Sequence, residues 1–370
     1  MTRFIPVAVP YLSGNEKKYV NDCLDTTWIS SNGKYITEFE ASFAAWMGVK
    51  NALACCNGTV ALHLPLLALG IKEGDEVLVP TFTYIATANV VRYCRATPVF
   101  VDCLPGTWNI DPVDMEKKIT PRTKGVILVH LYGNPCDMDA LMAVAQKYGL
   151  FVVEDAAECH GAEYHGKRAG TFGIASIFSF FGNKIITTGE GGMVVTDDDA
   201  MAERMRLFKG QGMDPNHRYW FIETGYNYRM TNIEAAIGLA QLENVDAHIA
   251  ARRQVADWYS KRIADVPEYL IPQQQTTGAS SVWWMYSILL TNKSKISRDE
   301  LIKSLASDGI ETRPLFYPMH LMPPYFNDQA NCPVAEDISS RGINLPTHAL
   351  LRYEDVEYIC GRVMKYVIGK

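Results

Sequence analysis

From residue 51 to about 200 the chain alternates short apolar runs with stretches whose apolar residues recur at helical spacing. The runs ALACC, EVLVP, PVFVD, GVILVHL, LFVVED and ASIFSFF are rich in β-branched and aromatic side chains and bounded by turn residues, so they read as buried strands. TVALHLPLLALG and MDALMAVAQKYG, lying between them, read as helices. Strand, turn and helix in repetition is the signature of a mostly parallel sheet covered by helices, and the fold class is α/β. No fixed-period repeat or low-complexity tract interrupts the pattern, which predicts one large domain over residues 1–245.

That domain begins with an arm. Pro6 and Pro10 keep the first residues extended, Ser13 is placed to cap a helix starting at Asn15, and TEFEASFAAWMG reads as a helix stopped by Gly48. Residues 210 to 232 form a long stretch rich in Gly, Asn and aromatics, and loops of that length in compact domains are usually functional or interfacial. Residues 232 to 266 then read as one long amphipathic helix leading into a smaller α+β domain, 246–370. Its expected parts are a strand within VWWMYSILL, a helix RDELIKSLASDG, the Pro-rich GIETRPLFYPMHLMPPY, the segment NLPTHALL and a last helix.

Composition narrows the partners. A chain of 370 residues with 48% hydrophobic and 21% charged residues has ample material for a large core. Its net charge of -6 supplies no electrostatic reason to bind nucleic acid or an anionic membrane, and points to small ligands. No segment approaches a membrane span and the N-terminal stretch lacks a signal-type pattern. Nine scattered cysteines without metal spacing fit a reducing cytoplasm, with no disulfide framework and no metal site expected.

The chemistry is expected at the carboxyl ends of the strands, where open α/β sheets hold ligands. Lys184 follows the run Ile174 to Phe181 and the turn Gly182-Asn183; hemmed in by Phe180 and Phe181, it is partly desolvated and easier to deprotonate, and a neutral amine attacks an aldehyde. In Cys55 to Thr59, Gly58 lets backbone approach a ligand, and the amides and the Thr59 hydroxyl at a helix start suit a phosphate. Tyr84, after a strand end, is placed to lie against a ring. Two acids in Glu154 to Glu158 close a buried strand and require a partner. Each feature alone is equally an ordinary one: a solvated lysine, a helix cap, a core aromatic. Pyridoxal 5'-phosphate has a part complementary to each, with Asp155 at the pyridinium proton, Lys184 at the aldehyde and Ser179 adding a phosphate contact.

The ordered motifs NGT, TFTYIA, VVEDAAE, SFFGNKIITTGEGGMV and GYNYRMTNIEAAIGLAQL resemble the sugar aminotransferases of the DegT/DnrJ/EryC1/StrS family, of the aspartate aminotransferase fold type I class, over nearly the whole chain. The resemblance implies Asp155 as pyridinium partner, Lys184 as the Schiff-base lysine, Thr59 and Ser179 as phosphate ligands with Gly58 beside them, and Tyr84 as the stacking aromatic. It puts Glu158 near the cofactor, and it makes 210–232 a loop reaching into a neighbouring subunit, where Asn227 contacts the phosphate of a homodimer with shared active sites. Arg229 either orders that loop or makes a structural ion pair. Trp28 is a candidate for a ligand mouth or a packing anchor, and Arg313, Tyr317 and His320 are candidates for holding a negatively charged or hydroxylated substrate.

The phrases DTTWIS, FGNKIITTGEGGM, GQGMDPNHRYW and NLPTHA are similar to the branch of the family that aminates GDP-4-keto-6-deoxymannose at C4'' for O-antigen-type polysaccharide, with glutamate the amino donor by family. A deoxygenating branch carries histidine in place of the lysine, and Lys184 favours plain amino transfer. A non-catalytic nucleotide binder is disfavoured because neither G-x-x-x-x-G-K-[ST] nor a G-x-G-x-x-G after a strand is present.

Overall fold

Nine strands lie in the first two hundred residues of the computed structural model, which describes residues 4–327 and 330–369, so that residues 1–3 of the expected arm lie outside the described residues. They are β1 (Asn51–Cys55), β2 (Glu76–Pro80), β3 (Thr97–Val101), β4 (Thr123–Val129), β5 (Phe151–Asp155), the short β6 (Glu163–Tyr164) and β7 (Lys167–Arg168), β8 (Ala175–Ser179) and β9 (Gly192–Thr196). Seven of them form one sheet in the order β1-β9-β8-β5-β4-β2-β3. All six apolar runs predicted as strands are in it, and only β9 runs antiparallel to its neighbours.

This sheet is buried on both faces, which is why its strands read as continuous apolar runs. In β8, Phe178 joins Phe39, Phe43 and Phe180 in one core, while its neighbour Ile177 joins Leu62, Val77 and Val153 in the core on the other face. The parallel strands all deliver their carboxyl ends to one edge. Gly192 at the start of antiparallel β9 faces both Cys55 and Ser179, so the ends of β1 and β8 meet there.

The rest of the chain adds β10 (Leu270–Pro272), β11 (Ala279–Ser280), β12 (Tyr286–Leu290), β13 (Arg313–Pro314) and β14 (Gly342–Leu345). An antiparallel sheet, β10-β12-β14-β13, packs its apolar side chains with those of helices Val245–Ile263, Arg298–Ser307 and Tyr353–Ile368. β11 instead joins β6 and β7 in a small separate sheet, order β11-β6-β7, which ties this part of the chain to the segment between β5 and β8.

Three local expectations are corrected. The periodicity of residues 232–266 predicts one helix, but the structure has two, Asn232–Leu242 and Val245–Ile263. Asn244 breaks them: its side chain donates to the Ala240 carbonyl (3.3 Å), competing with the helical ladder. Ser13 caps nothing; its hydroxyl meets His248 Nε2 at 3.3 Å, and the helix Glu16–Asp25 starts without a side-chain cap. VWWMYSILL becomes a strand only from Tyr286, because Trp283 takes a left-handed φ of 49° and turns the chain before it. Among the described residues, no helix is long and apolar enough to cross a membrane, and no group of three or more His, Cys, Asp or Glu is placed to hold a metal.

Candidate active site

A cavity of about 620 Å³ opens at the carboxyl edge of the large sheet. One wall is the N-terminus of helix Gly58–Ala68, whose first residues Gly58, Thr59 and Val60 line the cavity while Asn57 Oδ1 accepts from Val60 N (3.0 Å). Unpaired amides and the helix dipole make such an end an anion seat. Gly58 is needed for closeness: a Cβ there would stand 2.9 Å from the Ser179 Cβ and 3.2 Å from its hydroxyl. Gly58, Thr59 and Ser179 thus come together from two strand ends.

The floor is the end of β5. Glu154 points away from the cavity and is fully satisfied, accepting from the Gly170, Phe172 and Gly173 amides and pairing with His130 Nε2 (2.9 Å). Burial alone would raise its carboxyl, but these partners more than offset that and hold it below its ordinary value. Asp155, next along the strand, lines the cavity with fewer partners, the Thr87 hydroxyl (2.9 Å) and the Ala157 amide (3.2 Å). Burial therefore pushes its carboxyl above the ordinary range against the pull of Thr87, Ala157 and Lys184. Glu158 accepts from the Tyr132 amide (2.7 Å), and burial pushes its carboxyl up to about 7.

Lys184 stands over this floor. Its Nζ lies 3.8 Å from Glu158 Oε1 and 3.8 Å from the centroid of the Trp284 ring. Burial lowers its proton affinity, opposed by the Glu158 and Asp155 charges. The Trp284 ring is itself fixed: its Nε1 donates to the Asn183 carbonyl (2.8 Å), and it stacks on Tyr132, which stacks in turn on Phe316. Asp155, which has fewer hydrogen-bond donors than Glu154, is placed where a protonated ring nitrogen would offset its buried charge.

Eight residues expected at the site line this one cavity: Gly58, Thr59, Tyr84, Asp155, Glu158, Ser179, Lys184 and Arg313. Four others do not. Trp28 is 59% exposed and Tyr317 53% exposed outside the lining. His320 is buried, its ring tied to the Thr81 hydroxyl (2.7 Å) and Glu336 (3.2 Å). Asn227 is exposed on the 210–231 segment, where it bridges to Gly210 and accepts from Arg229 Nε (3.0 Å). Thr87, Trp284 and Phe316 are site residues that sequence reasoning missed. For Trp284 the available signal was a second tryptophan in a run too long for its strand, VWWMYSILL.

A desolvated lysine over two buried acids, beside a helix N-terminus at the carboxyl edge of an α/β sheet, fits one class, and the chain belongs to the DegT/DnrJ/EryC1/StrS aminotransferase family, whose profile matches residues 10–364. It is an aminotransferase dependent on pyridoxal 5'-phosphate, with the fold of those enzymes. In particular, it is 54% identical over 356 residues to a GDP-perosamine synthase of Caulobacter vibrioides, covering 96% of each chain. It is 51% identical over 368 residues to that of Escherichia coli O157:H7, covering 100% of both. Among solved structures, Helicobacter pylori PseC, an aminotransferase involved in the biosynthesis of pseudoaminic acid, superposes with a TM-score of 0.94 at 30% identity over 100% of both chains.

Proposed function

We propose that this chain transfers the amino group of glutamate to C4'' of GDP-4-keto-6-deoxymannose, making GDP-perosamine for an O-antigen-type polysaccharide. The observation that carries the substrate is full-length identity of 54% and 51% to two proteins named for that product. The cavity supports the chemistry. Gly58, Thr59 and Ser179 would hold the cofactor phosphate, Asp155 the ring nitrogen, Tyr84 a ring face, and Lys184 the aldehyde carbon. Pyridoxal phosphate, when bound, supplies an electron sink for the carbon that loses or gains a proton.

The chain's own residues do the rest. Lys184 Nζ, desolvated and held against Trp284, takes up the proton from the donor's Cα and in the second half-reaction delivers a proton to C4'' of the sugar. Asp155, whose charge burial disfavours and only Thr87 and Ala157 support by hydrogen bonds, would be kept ionised by the protonated ring nitrogen it faces, and would in turn keep that nitrogen protonated. Arg313, in the cavity wall and only loosely drawn to Glu311 at 3.7 Å, is the cation for an acidic substrate.

The working unit in this reading is a homodimer with shared active sites. Tyr219, Trp220, Phe221 and Ile222 stand 72, 58, 56 and 55% exposed on the same segment as Asn227, an apolar run that a partner subunit would cover. Nine free cysteines suit the reducing cytoplasm. The test incubates the purified enzyme with glutamate and a panel of nucleotide-linked keto sugars, reading amine products by mass spectrometry. GDP-4-keto-6-deoxymannose is expected to be consumed fastest; preference for another sugar or nucleotide overturns the substrate reading and leaves amino transfer standing. Lys184→Ala should abolish turnover, and wild-type turnover in it would retire the lysine's role.

A further inference from the structure

One charged side chain near the cavity takes no part in the chemistry above. Arg252, on helix Val245–Ile263, is 3% exposed, and all its hydrogen bonds among the described residues go to backbone carbonyls. Nη1 donates to the Trp284 carbonyl (3.1 Å) and the Thr347 carbonyl (2.7 Å), and Nη2 makes a longer approach to the Lys184 carbonyl (3.5 Å). Its Nε has no partner among the described residues. A buried guanidinium is costly, and among the described residues no carboxylate partner offsets the cost.

The contacts form a closed circuit. Arg252 holds the backbone of Trp284; the Trp284 ring holds Lys184 Nζ at 3.8 Å and bonds to the Asn183 carbonyl; and Arg252 returns to the carbonyl of Lys184. Three segments far apart in the chain are thereby set against one another at the reacting amine. We propose that Arg252 is a positioning residue for amino transfer, whose planar fork sets the Trp284 wall against the Lys184 loop and brings a fixed positive charge to it. The proposal rests on the reading of Lys184 as the reactive amine.

The charges around the pair identify Arg252 as the fixed cation. Lys184 faces Glu158 and Asp155 from β5 and the turn after it, His160 beyond them, and Arg252 from the helix. Arg252 itself faces His160, His248 and His348, and burial pushes all three toward the neutral form, His160 down to about 3 and His348 to about 4. Burial lowers Arg252 only to about 10, so it stays charged at neutral pH. Removing it takes away the protein cation that opposes Glu158 and Asp155 at Lys184, and the proton affinity at its nitrogen rises.

The experiment compares Arg252→Lys and Arg252→Met in the cofactor-loaded enzyme, by steady-state kinetics and by pH titration of the cofactor's visible absorbance. A lysine keeps the charge but loses the fork. Arg252→Lys is expected to lose about 10- to 100-fold in kcat through misplacement, with KM nearly unchanged and the absorbance midpoint near wild type. Arg252→Met should show a similar loss with the midpoint moved to higher pH. Wild-type kcat in folded Arg252→Lys, or an unmoved midpoint in folded Arg252→Met, overturns the proposal; so does an activity loss in either that only tracks the unfolded fraction seen by circular dichroism. If Arg252→Met does not fold, Arg252→Lys decides alone. Lys184→Ala run alongside separates the two readings: wild-type turnover there sinks the lysine's role whatever Arg252 does.

Discussion

Lys184 and Glu158 face each other across 3.8 Å in a place that suits neither charge. Burial lowers the proton affinity of the amine and raises that of the acid, so the pair is pressed toward its uncharged form, the form in which a lysine can act as a nucleophile.

A pH dependence of stability follows. An unfolded chain releases the Glu158 proton near the ordinary 4.5, whereas the folded protein holds it until about 7. Between those values the folded state binds more protons, so this group's contribution is fully present below the lower value and is lost as pH rises through the upper one. Thermal unfolding of the cofactor-free protein from about pH 5 to about pH 7.5 should show wild type losing stability relative to Glu158→Gln as pH rises. Parallel melting curves for the two proteins across that range would show that the acid is not perturbed.

Asp155→Asn separates stability from activity. The raised proton affinity of Asp155 means that the fold is burdened by its charge at neutral pH, and asparagine keeps the shape and still accepts from Thr87. The cofactor-free variant should be as stable as wild type or more so, while kcat falls by about 100-fold or more with the loss of the charge opposite the ring nitrogen. Unchanged kcat would remove Asp155 from its proposed role.

The site was partly legible in the sequence, and for a physical reason. A strand buried on both faces is a continuous apolar run, so its carboxyl end can be located by where the run stops, and Asp155, Ser179 and Lys184 all stand at or just past such stops. What escaped depends on chain geometry far from its own residues. Thr87 reaches Asp155 across 68 positions. Trp284 becomes a wall only because Trp283 adopts a left-handed φ and delays β12. The break at Asn244 hides inside a helical periodicity that continues on both sides of it.

Gly58→Ala tests the anion seat without touching a charge. The added methyl meets Ser179 Cβ at 2.9 Å, closer than real Cβ contacts allow, so the helix end or Ser179 must shift. Alanine also favours the helix, which offsets part of the cost of that shift, so the cofactor-free protein should lose no more than about 1 to 2 kcal/mol. Cofactor affinity, followed by absorbance titration, should weaken about tenfold, the loss of roughly one good hydrogen bond to a charged group. Affinity within about twofold of wild type would place the phosphate elsewhere.

The proposed sharing of the site between subunits makes the most distinctive prediction. Asn227 is exposed and outside the cavity lining of its own chain, on a segment whose Tyr219, Trp220 and Phe221 face solvent, while Gly58, Thr59 and Ser179 line the cavity at the proposed anion seat. If Asn227 completes the seat of a neighbouring subunit, each site of a dimer needs one chain's lysine and the other chain's asparagine. Lys184→Ala chains are inactive at every site they build, and Asn227→Ala chains lose about 1 to 3 kcal/mol of cofactor binding, so the assay runs at limiting cofactor. Mixing the two under conditions that exchange subunits creates heterodimers in which one site has both wild-type residues. The mixture should exceed the summed activities of the separate variants, approaching about one quarter of the wild-type sites when exchange is complete and pairing random. Activity no greater than that sum, with exchange confirmed by native mass spectrometry, would mean that each chain builds its site alone.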